Sequence, residues 1–271
     1  MATSQDRGTT SIALVHEALY SARQRDIDVA RALENADIDP QLLDAPRARV
    51  SARSFASLWV ELADLLDDEF FGIDSHPMRR GSFKMMCHAL IDCDTLGQAL
   101  QRMLSFLRLV LDDIHGELQI KDDQAFLILQ DHGNLRRLFA YGTWFILVHG
   151  LACWLVNQRI PLRALSFRAP KPVDESDYRM RFCEDIQYDA PMTQASFDKK
   201  FLDMKIAQTP ASLSAFLKES PASLLVKYRN DDSISAQIRR RLRGLSPDKW
   251  PERDELAIVL CMSNSTLQRR L

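Results

Sequence analysis

Two groups of residues in this sequence are of types that could do chemistry, and they lie far apart. The first closes the chain, running Ser263, Asn264, Ser265, Thr266, Leu267, Gln268, Arg269, Arg270, Leu271. Ser263 stands where a helix N-cap would, its hydroxyl able to accept a first-turn backbone N–H, and Leu267 and Leu271 fall four apart on one face. Asn264, Ser265, Gln268 and Arg269 occupy the other face, so one side can pack while the other reads something polar. The second group interrupts apolar helical stretches with polar or aromatic side chains: Lys84, His88, Arg108, Tyr141, Trp144, His149 and Trp154. A cavity lined by aromatics and a few polar groups is what a small ligand needs. Each has a plainer reading, with His149 and Trp154 as satisfied core residues and Arg108 as the ion-pair partner of Asp112.

Charge separates the two groups. The last 39 residues hold eight Lys/Arg against four acids, so a tail of +4 follows a body of −6 within a net charge of −2. An acidic body with a basic end suggests that only the end meets a polyanion. With 46% hydrophobic and 27% charged residues over 271 positions, the chain belongs with soluble globular proteins and is long enough for two domains. The five cysteines are odd in number and scattered, and no basic segment with an apolar core opens the sequence, which points to a reducing cytoplasm. Cys87 and Cys93 read either as a redox pair or as buried thiols. No metal-ligand spacing or cofactor motif is present, so no cofactor is expected.

The elements that must position these residues follow from periodicity. Ile12, Val15 and Leu19 share a helical face, and Asp39-Pro40 supplies an N-cap with proline at the first helical position. Phe55, Leu58, Trp59, Leu62, Leu65 and Leu66 form a broad apolar stripe. A loop from Gly72 to Gly81, a helix through Ala89, and a helix opened by Asp94 or Thr95 come next. The period then changes: Glu117–Ile120 and Ala125–Gln130 read as a β-hairpin, with Leu118/Ile120 and Phe126/Ile128 alternating against other side chains. Between Arg137 and Arg159 lie 21 residues without a formal charge, read as a long buried helix, with a membrane span as the alternative. Leu162–Arg168, Ile186–Tyr188 and Ala195–Leu202 read as strands, and Asp177–Phe182 as a short helix. Thr209-Pro-Ala-Ser-Leu213 and Ser220-Pro-Ala-Ser-Leu224 each combine a hydroxyl cap with proline at the first turn, giving two short helices. The fold class predicted is α+β, a mainly helical domain with a small, largely antiparallel sheet over 1–230, followed by a helical segment over 231–271.

In that segment Ile234, Ile238 and Leu242 define one helix, Pro251 starts a second, and Ser263 opens a third after the short turn at Cys261-Met262. Two helices joined so tightly make the helix-turn-helix pattern. Glu255 to Leu271, ELAIVLCMSNSTLQRRL, resembles the first helix-turn-helix of AraC/XylS-type transcriptional regulators. The body resembles the arabinose-binding-type N-terminal domain of one branch of that family, through Thr95-Leu-Gly-Gln-Ala-Leu100, Phe167-Arg-Ala-Pro170 with Tyr178 and Phe182, and Phe201-Leu-Asp203. Cys261 stands where family members usually carry glycine. The family's DNA-binding domain has two helix-turn-helix units, so the sequence reads as a form of a longer regulator truncated within the first.

The resemblance implies that the last helix enters the major groove of DNA. Asn264, Ser265 and Gln268 would read base edges, while Ser263, Thr266, Arg269 and Arg270 would contact phosphates. It implies further that the body senses a small-molecule effector and forms a homodimer, without membrane attachment. The alternatives are a module that dimerises with other regulators without binding DNA, and an enzyme acting on a small metabolite in the same cavity.

Overall fold

The computed structural model describes residues 8–225 together with Pro251, Glu255 and Leu256. The chain divides into two compact units, Met1–Tyr228 and Arg229–Leu271, and the elements below belong to the first. In chain order they are β1 (Thr9–Ser11), α1 (Ile12–Gln24), α2 (Ala30–Asn35), β2 (Arg49–Ser51), α3 (Ala52–Leu66), α4 (Ser82–Leu90), α5 (Leu96–Val110), β3 (His115–Lys121), β4 (Gln124–Gln130), α6 (Leu138–Leu155), β5 (Leu162–Ser166), α7 (Ser176–Arg181), β6 (Ile186–Gln187), β7 (Thr193–Asp198), α8 (Pro210–Glu219) and α9 (Ala222–Leu225). Single 3-10 turns occupy Pro40–Asp44 and Lys199–Asp203. This is an α+β fold.

The amphipathic helices bury the faces their spacing defines. Ile12, Val15, Ala18, Leu19 and Ala22 form the buried side of α1, and Phe55, Leu58, Trp59 and Leu62 that of α3. Leu65, at the end of the α3 stripe, is instead 45% exposed. Hydroxyl caps set three helix starts: Ser51 accepts from Ser54 N, Thr95 from Gln98 N, and Thr209 forms a capping box with Ser212 at the head of α8. Asp39 caps as expected, accepting from Gln41 N, but the turn it opens is 3-10 and leaves Leu42 and Leu43 only half-buried.

The strands form a five-stranded sheet in the order β3-β4-β7-β5-β6, antiparallel except for the β5/β6 pair, while β1 and β2 make a separate ribbon. The hairpin register runs from His115↔Gln130 to Lys121↔Gln124. As an edge strand, β3 leaves Ile120 60% exposed, so the alternation expected there holds only for the inner part of the strand. The strand expected over Ala195–Leu202 stops at Asp198, whose carboxylate accepts from Lys200 N at 3.0 Å and turns the chain into the 3-10 segment.

Helix α6 runs through the middle of the core. Its composition and 18-residue length would suffice to cross a membrane, yet 83% of it is buried inside the domain. At its far end His149 and Cys153 close the loop that follows: Ile160 N donates to Cys153 Sγ at 3.3 Å, and His149 Nε2, when protonated, donates to Ile160 O at 2.8 Å. Gly150 leaves room for Leu224 of α9, because a Cβ there would lie 3.0 Å from Leu224 Cδ2.

Candidate functional site

The seven residues that interrupt the apolar stripes are not brought into one cavity. Lys84, His88 and Arg108 lie on the solvent side of α4 and α5. Asp112 is not Arg108's ion-pair partner among the described residues; the neighbouring carboxylate, Asp113, pairs with Arg136 at 3.1 Å. Trp154 stacks on Phe216 of α8 with centroids 4.2 Å apart, and His149 is committed to the loop at Ile160. Tyr141 donates to the buried carboxylate of Asp131 and accepts from Arg136 N at 3.0 Å; burial above all pushes its hydroxyl up to about 12. Trp144 is fully buried against Phe145, its Nε1 without a partner among the described residues. The helical period explains the scatter: interruptions on successive helices need not share a face, and three of these side chains point outward. The proposed DNA-contacting set, Ser263, Asn264, Ser265, Thr266, Gln268, Arg269 and Arg270, lies outside the described residues.

The structure places an open cleft elsewhere, between the C-terminal half of α1, the loop at Gly72 and Ile73, and the segment that leads into α6. Its volume is about 350 Å³. Tyr20, Ser21 and Gln24 come from α1 and Arg25 from its C-cap, while Leu135, Arg136, Arg137, Phe139 and Ala140 form the opposite wall. Three of the eleven lining residues are arginines and none is acidic. Each arginine is held. Arg25 Nη2 donates to Gly72 O at 3.1 Å. Arg137 grips Glu17 with two hydrogen bonds, 2.9 and 2.6 Å, and lies 4.0 Å above the Tyr20 ring; Glu17 raises its pKa above the usual arginine value. Arg136 pairs with Asp113, and its Nε is buried without a partner among the described residues.

The loop wall is rigidified by carboxylates accepting backbone N–H groups. Asp68 accepts from Phe70 N, Gly72 N and Met78 N at 2.8, 2.9 and 3.1 Å, and burial raises its pKa against the pull of those amides. Glu69 accepts from Gly81 N and Phe83 N, and Asp74 from His76 N, Asp112 N and Asp113 N. A cationic cleft with a preformed loop can hold an anionic group without first ordering the chain. Sequence reasoning missed this cleft. The available signal was the Arg136-Arg137 pair set directly before an uncharged helix.

Beside this wall, His115 and His132 meet edge to face with centroids 4.1 Å apart. Burial first, then His132 and Arg108, lower the pKa of His115 from its ordinary 6.5. The unfolded chain therefore takes up a proton before the folded one, so this contribution to stability is full above pH 6.5 and is lost as pH falls below it. The melting temperature is expected to drop between neutral pH and the unfolding range of carboxylates, and His115→Gln should flatten that part of the profile. A profile unchanged by His115→Gln would refute the assignment.

The sequence places the chain in a class, that of proteins carrying the N-terminal domain of a transcription regulator. The arabinose-binding domain found at the N-terminus of AraC transcription regulators matches residues 27–206, and the chain belongs to that family. No curated protein matches the chain. Among solved structures it is similar to the transcriptional regulator CdpR from Pseudomonas aeruginosa, with 19% identity over 95% of this chain and 78% of that chain; the TM-score of 0.35 is too low to define shared geometry.

Proposed function

We propose that this AraC-family chain is a ligand-responsive, DNA-binding regulator of the cytoplasm, free of membrane and catalytic activity, and a homodimer. Residues 1–230 form the effector-sensing and dimer-forming part, and 231–271 contribute to DNA binding. The observation that carries the reading is the family match over 27–206, which sits on a domain with a preformed cationic cleft. Helix α6 supports a route for the signal, because its first turn lines the cleft while Gly150 receives Leu224 of α9, near the end of the sensing part. An effector acts only by binding one arrangement of the two parts better than the other.

The test is selection of DNA fragments by the full chain, followed by fluorescence anisotropy. Sequence-specific binding should appear, and Asn264→Ala should lower specific affinity by about 1–3 kcal/mol while leaving nonspecific binding nearly unchanged. Arg269→Ala should weaken both and reduce the salt slope by about one. Binding without sequence preference, unaltered by Asn264→Ala, would overturn the proposal.

A further inference from the structure

We infer that the cleft between α1 and the start of α6 is a binding site for a small organic acid: one carboxylate on an apolar body. The inference rests on the regulator reading only in naming the acid an effector; the binding itself stands on the cleft.

Three features of the cleft agree. Its charged lining is entirely cationic, and the carboxylates that balance it, Glu17 and Asp113, hold Arg137 and Arg136 without being part of the lining. Arg25 touches no carboxylate within ion-pair distance among the described residues, its Nη2 donating to the Gly72 carbonyl; Asp68 beyond that loop attracts it from a distance while its oxygens accept from backbone amides. Arg137 and Arg136 each contact a carboxylate directly, which leaves the Arg25 guanidinium as the one of the three without such a contact and suits a single carboxylate. Second, α6 opens at Arg137 with no side-chain cap and no acidic residue in its first turn, so the positive end of an 18-residue helix adds to the same field. Third, Ile73, Leu135 and Phe139 give the cleft apolar surface, and Leu135 is 56% exposed although it is a large aliphatic side chain. A bare inorganic anion would leave that surface wet; an acid with an alkyl or aryl body would cover it. The volume of about 350 Å³ limits the body to a small one.

Arg25 is the residue to change, because it is exposed and its one hydrogen bond is to a loop carbonyl. The experiment is isothermal titration calorimetry of the full chain with benzoate and hexanoate, using benzyl alcohol, hexanol and inorganic phosphate as controls. Both acids should bind, each at least about tenfold tighter than the matching alcohol and than phosphate. Arg25→Gln should weaken the acids by about tenfold or more, with Arg25→Lys recovering part of the loss, while both variants keep the far-UV circular dichroism and cooperative melting of the parent. Absence of heat with both acids, equal affinity for acids and alcohols, tighter binding of phosphate, or an unchanged Arg25→Gln would each overturn the inference. Anisotropy on selected DNA separates the two proposals. Acids that bind without altering DNA affinity leave the site standing and remove the effector role. A chain that binds no acid yet responds to a neutral compound keeps the regulator reading and loses this site.

Discussion

Replacing Asp131 by alanine should lower the unfolding free energy by about 3 kcal/mol, the lower end for stripping a buried ion pair of one partner, because Arg168 keeps 27% of its side chain exposed. Asp131 is 3% exposed and directly follows β4. Its carboxylate receives the Tyr141 hydroxyl, the Arg168 guanidinium and, at 3.1 Å, Gly133 N. Tyr141 in turn accepts from Arg136 N at 3.0 Å, so one carboxylate ties the hairpin, the segment after β5 and the entry to α6 together. Asp131→Asn retains an acceptor and should cost less than alanine, while Arg168→Met added to Asp131→Asn should recover part of the loss by removing the orphaned charge. Urea denaturation with matched m-values measures all three. A loss below about 1 kcal/mol for alanine would show that water or a neighbour replaces the carboxylate. Because Arg136 lines the cleft, the same variant should also weaken benzoate binding if that site is as described.

Gly116→Val is expected to destabilise by about 3 kcal/mol, the upper end of overpacking. Strand propensity argues for the opposite sign, since valine favours strands and glycine does not. Packing decides: a Cβ at Gly116 would lie 2.3 Å from Trp144 Cζ2 and 2.5 Å from Leu104 Cδ2, and both of those side chains are buried. The Trp144 ring is rigid and fully buried, and the Leu104 methyl, though a chain end, is enclosed with it. Differential scanning calorimetry should show a lower melting temperature for Gly116→Val, partly restored by Leu104→Ala in the same chain. A melting temperature at or above that of the parent would mean that propensity outweighs the clash.

Helices and hairpin were legible in the sequence because each follows from a repeat within one segment. The face of α1, the Thr95 and Thr209 caps and the β3/β4 register all come from local spacing. The end of β7 was misread because Asp198, which stops it, looks like any polar strand residue until its side chain turns to Lys200 N. The cleft was not legible for a different reason. Arg25, Gly72 and Arg136 are separated by 47 and 64 positions, and only tertiary packing makes them neighbours. Tyr141 and Trp144 were readable as unusual, but spacing cannot distinguish a polar group facing a cavity from one facing Asp131 or a strand glycine.

Helix α6 is apolar around nearly its whole circumference, which has a consequence during synthesis. As it leaves the ribosome, this stretch satisfies the same length and charge criteria that membrane-insertion machinery reads, with only Thr143, His149 and two glycines to dilute it. Helices α1 and α5 and strand β3, made before it, offer one ready surface, whereas α8 and α9, which complete its enclosure, are made later. Until then the nascent chain presents its stickiest segment, and its yield in cells should depend on translation speed and on chaperones that bind extended apolar sequence.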